Sequence, residues 1–167
     1  APIFTLPSKA ELVNGKFRHL TKFFSVRTAV ICDILGVHSY DRLQGGIAMI
    51  RNIAVVSLSR GVLGEAFAQH EVEIGLQRLA GYGVNVRFMP NARRGIDYLT
   101  AHPEARAADF LQAFRDPGID MILCAIGGDD TYRLLPYLFD HDELRRAVTG
   151  KVFLGFSDTT VNHMMLH

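Results

Sequence analysis

The residues with the clearest chemical potential form one short stretch, Gly127-Gly128-Asp129-Asp130-Thr131, which follows an apolar run and opens a leucine-rich segment. A Gly-Gly pair after a buried strand lets the backbone turn tightly and leaves amide N–H groups pointing above the sheet. The helix that follows adds free N–H groups and the positive end of its dipole. Such a turn can hold a phosphate or stabilise an oxyanion, and the Thr131 hydroxyl can be a nucleophile if a base is supplied.

A purely structural role fits the same turn. Asp129 or Asp130 would cap the helix, Thr131 would lie in its first turn, and the glycines would only permit the bend. A second polar loop, from Ser157 to Thr160, follows another apolar run and opens the last helix of the sequence. The spacing of residues within these two loops is compatible with a structural role and with a chemical role, and does not decide between them.

Alternating strands and helices are predicted around both loops. Short apolar runs indicate strands, and helical spacing with start and stop residues indicates helices. The predicted order is β-α-β-α-β-α-α-β-α, with strands in 50–58, 84–89, 120–126 and 151–156 and helices in 64–83, 103–116, 131–139, 140–148 and 157–167. Phe67 is predicted on the apolar face of the first helix, and 90–102 is predicted to be a polar loop.

This order implies right-handed crossovers and a three-layer, doubly wound, mostly parallel α/β sheet. In such sheets ligands bind beyond the carboxyl ends of the strands. The loops 127–131 and 157–160 both follow strands, so we expect them to lie at that edge of the sheet.

Composition excludes several classes of function. The 18 basic and 17 acidic side chains give a net charge of +1, which offers no footprint for nucleic acid or an anionic membrane. Cys32 and Cys124 form no CxxC pair, so neither a disulfide framework nor a metal site is predicted. The apolar run 23–35 contains Arg27 and Asp33, which argue against a membrane span or a signal peptide. We therefore expect a cytoplasmic protein.

Residues 1–48 have no clear period and do not share this order. One hypothesis is an N-terminal extension packed on the domain. The other is translated upstream sequence with Met49 as the natural start, since Gln44-Gly45-Gly46 can be encoded by CAA-GGA-GGT, which contains a bacterial ribosome-binding sequence.

Three motifs in the second half of the chain occur together: "EARAADFLQAF" after an aromatic loop, "GGDDTYRLLPYL", and "KVFLGFSDTT". Their order and spacing resemble the N-terminal domain of the LD-carboxypeptidase family, serine peptidase family S66, which includes the microcin C immunity peptidases. That family has Glu-x-Arg-Ala-x-Asp-Leu, then Gly-Gly-x-x-Ser before a leucine-rich helix, and Lys-x-x-x-Gly-x-Ser-Asp-x-Thr. The resemblance covers about 94–167.

The resemblance implies a Rossmann-like fold of the class I glutamine amidotransferase type, with 49–167 as an N-terminal domain truncated before a C-terminal domain. It implies a hydrolase without a cofactor that cleaves murein tetrapeptides or peptidyl or aminoacyl nucleotides, and it allows a homodimer. Thr131 falls on the nucleophile position. The other implied site residues are Gly127 and Gly128 at the oxyanion hole, Asp129 and Asp130 beside them, and Ser157 and Asp158 on the second substrate-side loop.

The sequence departs from the family pattern in two ways. Thr131 replaces the serine, and its extra methyl stiffens the side chain and crowds the line of attack. The chain also contains no segment that would supply the glutamate and histidine of the triad, because His163 and His167 fit an ordinary helix face better. We therefore expect the 167-residue chain alone to be inactive.

Two other functions compete with the peptidase. Phosphofructokinases and the lipid and NAD kinases carry Gly-Gly-Asp-x-Thr or Ser after a strand, where an aspartate serves magnesium or the acceptor. However, the loop after the first predicted strand, "SLSRGVLGE", is not a Gly-Gly-rich phosphate loop. A non-catalytic homologue that keeps only a binding cleft is the third candidate.

Overall fold

The strands of the sheet are short, apolar and parallel. In the computed structural model, which describes residues 50–167, they are β1 (Asn52–Val56), β2 (Asn85–Phe88), β3 (Met121–Cys124) and β4 (Val152–Leu154). They pair in the order β2-β1-β3-β4, with every neighbouring pair parallel. Each strand lies within a run predicted from the sequence, which confirms the mostly parallel α/β sheet. The hypotheses about residues 1–48 lie outside the described residues.

The connections between strands are helical. They contain α1 (Gln69–Gly81), α2 (Ile96–Ala101), α3 (Pro103–Arg115), α4 (Leu135–Phe139), α5 (Glu143–Ala147) and α6 (Thr160–Met165). Short 3-10 turns precede several of these helices, at Val62–Gly64, Ala66–Ala68, Thr131–Leu134, Asp140–Asp142 and Ser157–Thr159. Pro103 begins α3, as predicted from its fixed φ and missing N–H.

Two local predictions were wrong. Phe67 does not lie on a helix face: it belongs to a 3-10 turn and is 56% exposed. The helix begins later because the Gln69 side-chain amide donates to the carbonyls of Leu63 and Glu65, at 2.9 and 2.8 Å, and so holds the turn in place. The predicted polar loop 90–102 contains α2, whose Leu99 is fully buried.

Both faces of the sheet are covered, as the doubly wound prediction requires. Ala54 and Val56 of β1 pack with Ile122 of β3 and with two phenylalanines of α3, Phe110 and Phe114, whose rings meet edge to face at 5.0 Å. Because side chains alternate along a strand, the buried residues Ile53 and Val55 point to the opposite face. Within 50–167 no helix is long and apolar enough to cross a membrane.

Candidate active site

Loops that follow three adjacent strands meet at the carboxyl edge of the sheet. The order β2-β1-β3-β4 places β1, β3 and β4 side by side, so the loops after them converge. Gly127 lies against the β4 loop, since a Cβ added to it would be 2.9 Å from the Ser157 Cβ. A Cβ on Gly128 would be 2.1 Å from the Ser59 Oγ in the β1 loop. Glycine is therefore required at both positions for the loops to approach one another.

One carboxylate joins these three loops. Asp158, after β4, accepts hydrogen bonds through the same Oδ2 from the Ser59 hydroxyl at 2.6 Å and from the Thr131 backbone N–H at 2.9 Å. Ser157 adopts a left-handed conformation with φ of 57°, which turns the chain immediately before Asp158. The two predicted loops are thus brought together, and Ser59 joins them from a third.

Asp130 forms an ion pair instead of a helix cap. It occupies the N-cap position of the turn Thr131–Leu134, but its side chain makes no capping bond. Its two carboxylate oxygens instead accept from both terminal nitrogens of Arg106, at 2.8 and 3.1 Å. The helix-capping role considered for Asp130 is therefore wrong, because the guanidinium competes for the carboxylate.

Arg106 is buried between the loops after β1 and β3. Its side chain is 0% exposed, against 20% for that of Asp130. One of the two terminal nitrogens, Nη1, also lies 3.3 Å from the carbonyl oxygens of Leu58 and Ser59. The guanidinium therefore binds backbone on the β1 side and carboxylate on the β3 side.

The Thr131 hydroxyl is enclosed within the protein. Thr131 is 0% exposed, and its Oγ1 donates to Oδ1 of Asn162, itself fully buried on α6, at 2.9 Å. An amide oxygen can accept this hydrogen bond, but it is not a base that takes up the proton. The hydroxyl is therefore held in one direction without being activated.

The remaining polar residues of the sequence analysis lie near these loops in different settings. Asp129 and Ser157 are exposed, and His167 is exposed at the end of the last helix. The His163 Nε2 is 3.1 Å from the carbonyl of Gly155, and its ring meets that of Phe153 at 4.7 Å, a helix-packing role. No cluster of three or more His, Cys, Asp or Glu side chains suited to a metal ion occurs among residues 50–167.

Sequence reasoning missed three of the residues that form this site. Ser59 could have been found, because it follows β1 just as Thr131 and Asp158 follow β3 and β4. Arg106 was visible within "EARAADF", but an arginine at that position of a helix gives no sign that it is buried. For Asn162 no sequence signal points to a bond with a threonine 31 residues away.

A buried carboxylate, Asp109, supports α3 one turn beyond Arg106. Asp109 accepts from both the backbone N–H and the side-chain amide of Asn91, at 2.9 and 2.8 Å, and so attaches the loop after β2 to the helix. Burial raises the pKa of Asp109 above its ordinary value, while the bonds from Asn91 act in the opposite direction. The helix that carries Arg106 is thus anchored one turn further along.

Comparison with known proteins identifies relatives of this domain. A sequence model of the LD-carboxypeptidase N-terminal domain, peptidase family S66, matches residues 53–167. A putative carboxypeptidase of Streptomyces coelicolor is 36% identical over 98 residues, which are 57% of this chain and 31% of that protein. The microcin C7 self-immunity protein MccF of Escherichia coli is 36% identical over 63 residues, 38% of this chain and 17% of that protein.

Solved structures give the same result. An MccF-like protein from Streptococcus pneumoniae in complex with AMP is 59% identical with a TM-score of 0.70, over 71% of this chain and 35% of that one. MccF in complex with aspartyl sulfamoyl adenosine is 25% identical with a TM-score of 0.55, over 73% and 35%. The chain therefore spans about a third or less of the relatives it matches. The resemblance inferred from the three motifs is confirmed.

Proposed function

Since the chain belongs to the LD-carboxypeptidase family through its N-terminal domain, we propose that it is the nucleophile-bearing domain of a carboxypeptidase-like hydrolase. The observation that carries the proposal is the position of Thr131. It is the first residue of the helical turn that follows Gly127 and Gly128, at the meeting point of the loops after β1, β3 and β4. This is where a nucleophile on an α/β sheet is presented to substrate.

The proposed substrate is an amide in a peptidyl or aminoacyl nucleotide or in a murein tetrapeptide. The solved relatives that bind AMP and aspartyl sulfamoyl adenosine support the nucleotide class. A relative named as a probable murein peptide carboxypeptidase, from Bacillus subtilis, is 30% identical over 97 residues and supports the second class. Both classes contain an amide carbonyl that a hydroxyl can attack.

The proposed roles follow from position. The Thr131 oxygen attacks the amide carbonyl carbon, and its proton passes to a histidine outside this chain. That histidine protonates the leaving amine as the C–N bond breaks, and water then hydrolyses the acyl group from Thr131. The backbone around Gly127 and Gly128 shapes the site of the developing oxyanion. Asp129 and Ser157, both exposed, line the approach, while Asp130 and Asp158 hold the turn. Because Asn162 cannot take the proton, the 167-residue chain alone is inactive on this proposal.

The test uses the natural protein in its full length. Turnover of an L,D-tetrapeptide and of an aminoacyl sulfamoyl adenylate is measured for the parent, Thr131→Ser and Thr131→Ala. The serine variant should retain turnover, and the alanine variant should lose it by a factor of about 10³ or more. Thr149→Ala is the matched control, because the Thr149 hydroxyl bonds the Phe114 carbonyl at 3.1 Å and takes no part in the site. Unchanged turnover in Thr131→Ala would remove the hydroxyl from the mechanism.

One observation favours a second function, a binding domain without catalysis. The Thr131 hydroxyl is fully buried and already satisfied by Asn162, an arrangement that suits a structural threonine. On this alternative the full-length protein binds the aminoacyl sulfamoyl adenylate without cleaving it, and Thr131→Ala leaves the dissociation constant unchanged. Calorimetry beside the turnover assay separates the two functions.

A further inference from the structure

We infer that Arg106 is the positioning residue of the Thr131 turn. The catalytic consequence of this inference rests on the proposed function, whereas its structural consequence does not. Arg106 lies on α3, 24 residues before Asp130 in the sequence, and its guanidinium binds both oxygens of that carboxylate. Asp130 is the residue immediately before Thr131, so the ion pair holds one end of the peptide that carries the proposed nucleophile.

The other end of that peptide is held from a different loop. The Thr131 N–H donates to Asp158 at 2.9 Å, and the Ser59 hydroxyl bonds the same carboxylate oxygen. Arg106 also reaches the Ser59 carbonyl at 3.3 Å. Arg106 and Asp158 therefore both contact the β1 loop and the Thr131 turn, and together they fix the turn from two directions.

The geometry requires a guanidinium, not merely a positive charge. A planar fork can bind both oxygens of one carboxylate, whereas a lysine ammonium acts as a point charge. The Nε of Arg106 is buried without a hydrogen-bond partner, so the group is held through its two terminal nitrogens. A lysine at position 106 keeps the charge and loses this fork.

Losing the fork should displace the turn without unfolding the sheet. A reacting group misplaced by about 1 Å can lower a rate by about 100-fold. If Asp130 shifts, Thr131 shifts with it, and the bond from its N–H to Asp158 weakens. The amide hydrogen of Thr131 thus reports the position of the turn whether or not the protein turns over a substrate.

The test measures amide hydrogen exchange and steady-state kinetics of the full-length protein carrying Arg106→Lys or, separately, Asp130→Asn. The matched control is Arg115→Lys on the same helix, where the arginine forms an exposed ion pair with Glu143. The internal reference is the amide of Ala125, just beyond the end of β3, which bonds the Val56 carbonyl of β1 at 3.0 Å. Asp130→Asn keeps the shape of the side chain, and it decides the matter if Arg106→Lys does not fold.

We expect exchange at Thr131 to rise by about tenfold or more in both variants, with Ala125 unchanged and the control like the parent. We also expect kcat to fall by about 100-fold with little change in KM. Exchange at Thr131 that equals that of the parent would overturn the inference. An equal rise at Thr131 and Ala125 would also overturn it, because a general loosening of the fold marks a merely structural role for Arg106. A parent without turnover would refute the proposed function and leave the exchange result to decide the role of Arg106.

Discussion

Substitution of Gly128 by alanine tests the close contact between the loops after β1 and β3. The added Cβ would lie 2.1 Å from the Ser59 Oγ and 3.0 Å from the Arg60 backbone nitrogen. Ser59 cannot rotate away freely, because its hydroxyl bonds Asp158 at 2.6 Å. The substitution must therefore break that hydrogen bond or move the backbone of one loop.

The expected cost follows from these two contacts. A hydrogen bond to a charged group contributes about 1.5–3 kcal/mol, and an extra methyl group in a closely packed place costs about 1–3 kcal/mol. Since moving Ser59 relieves part of the overlap, the two terms do not add fully, and we expect Gly128→Ala to lower the free energy of unfolding by about 2–4 kcal/mol. Gly150→Ala is the control: its Cβ would meet no atom within 4 Å.

Urea unfolding of the parent, Gly128→Ala, Gly150→Ala and Ser59→Ala provides the measurement. The double variant Ser59→Ala, Gly128→Ala should show a cost for the alanine at 128 that is smaller by about 1–2 kcal/mol, because the nearest atom is gone. The predicted overlap at Gly128 is refuted if Gly128→Ala unfolds at the same urea concentration as Gly150→Ala. It is also refuted if the cost is the same with and without the Ser59 hydroxyl.

Two further predictions concern carboxylates whose pKa values shift in opposite directions. Backbone N–H bonds from Arg51 and Asn52, at 2.9 and 2.8 Å, lower the pKa of Asp120. The stabilisation of the folded state by the ionised Asp120 is therefore complete above the unfolded-state pKa, and it is lost as the pH falls through the lower folded-state pKa. Asp120→Asn should lose less stability than the parent in urea unfolding between about pH 5 and pH 2, and parallel losses would contradict this. Burial, opposed by bonds from Asn91, raises the pKa of Asp109. The contribution of Asp109 to the free energy of unfolding is therefore fully present below the unfolded-state pKa and is lost as the pH rises through the folded-state pKa. Asp109→Asn should flatten that dependence between about pH 4 and pH 6, and an unchanged slope would count against it.

The fold was largely predictable because its signals are local. A run such as "NIAVV" is apolar on both faces, which indicates a strand buried in a parallel sheet, and β1 is that strand. The errors fall where a side chain from another turn decides the structure. Gln69 holds the two carbonyls before α1, and Leu99 packs into the core from a segment of mixed polar and apolar residues. The amino-acid composition of these segments predicts neither contact.

The site was predictable only in part, for a similar physical reason. The loops after β3 and β4 were identified because parallel strands present their carboxyl ends at one edge of a sheet. Which side chains bond there depends on contacts between distant residues: Ser59 and Asp158 are 99 residues apart, and Thr131 and Asn162 are 31 apart. Such pairs are set by packing of whole elements, so the sequence pattern could name the loops but not their hydrogen bonds.

The strand order also explains which groups of the site are left for a ligand. The chain passes from β1 to β2 on one side and returns to β3 on the other, so the crevice between β1 and β3 is the topological switch point. Asp130 pairs at its base with Arg106, whose guanidinium is fully buried, and more distantly with Arg133, at 3.5 Å. A phosphate or an oxyanion held here would meet the backbone N–H groups of the glycine turn, while Asp130 is already paired with the two arginines. In the Gly-Gly-Asp-x-Thr pattern the phosphotransferase aspartate falls on Asp129, which is exposed and lies outside this ion pair, so the pairing of Asp130 with Arg106 does not by itself remove that mechanism.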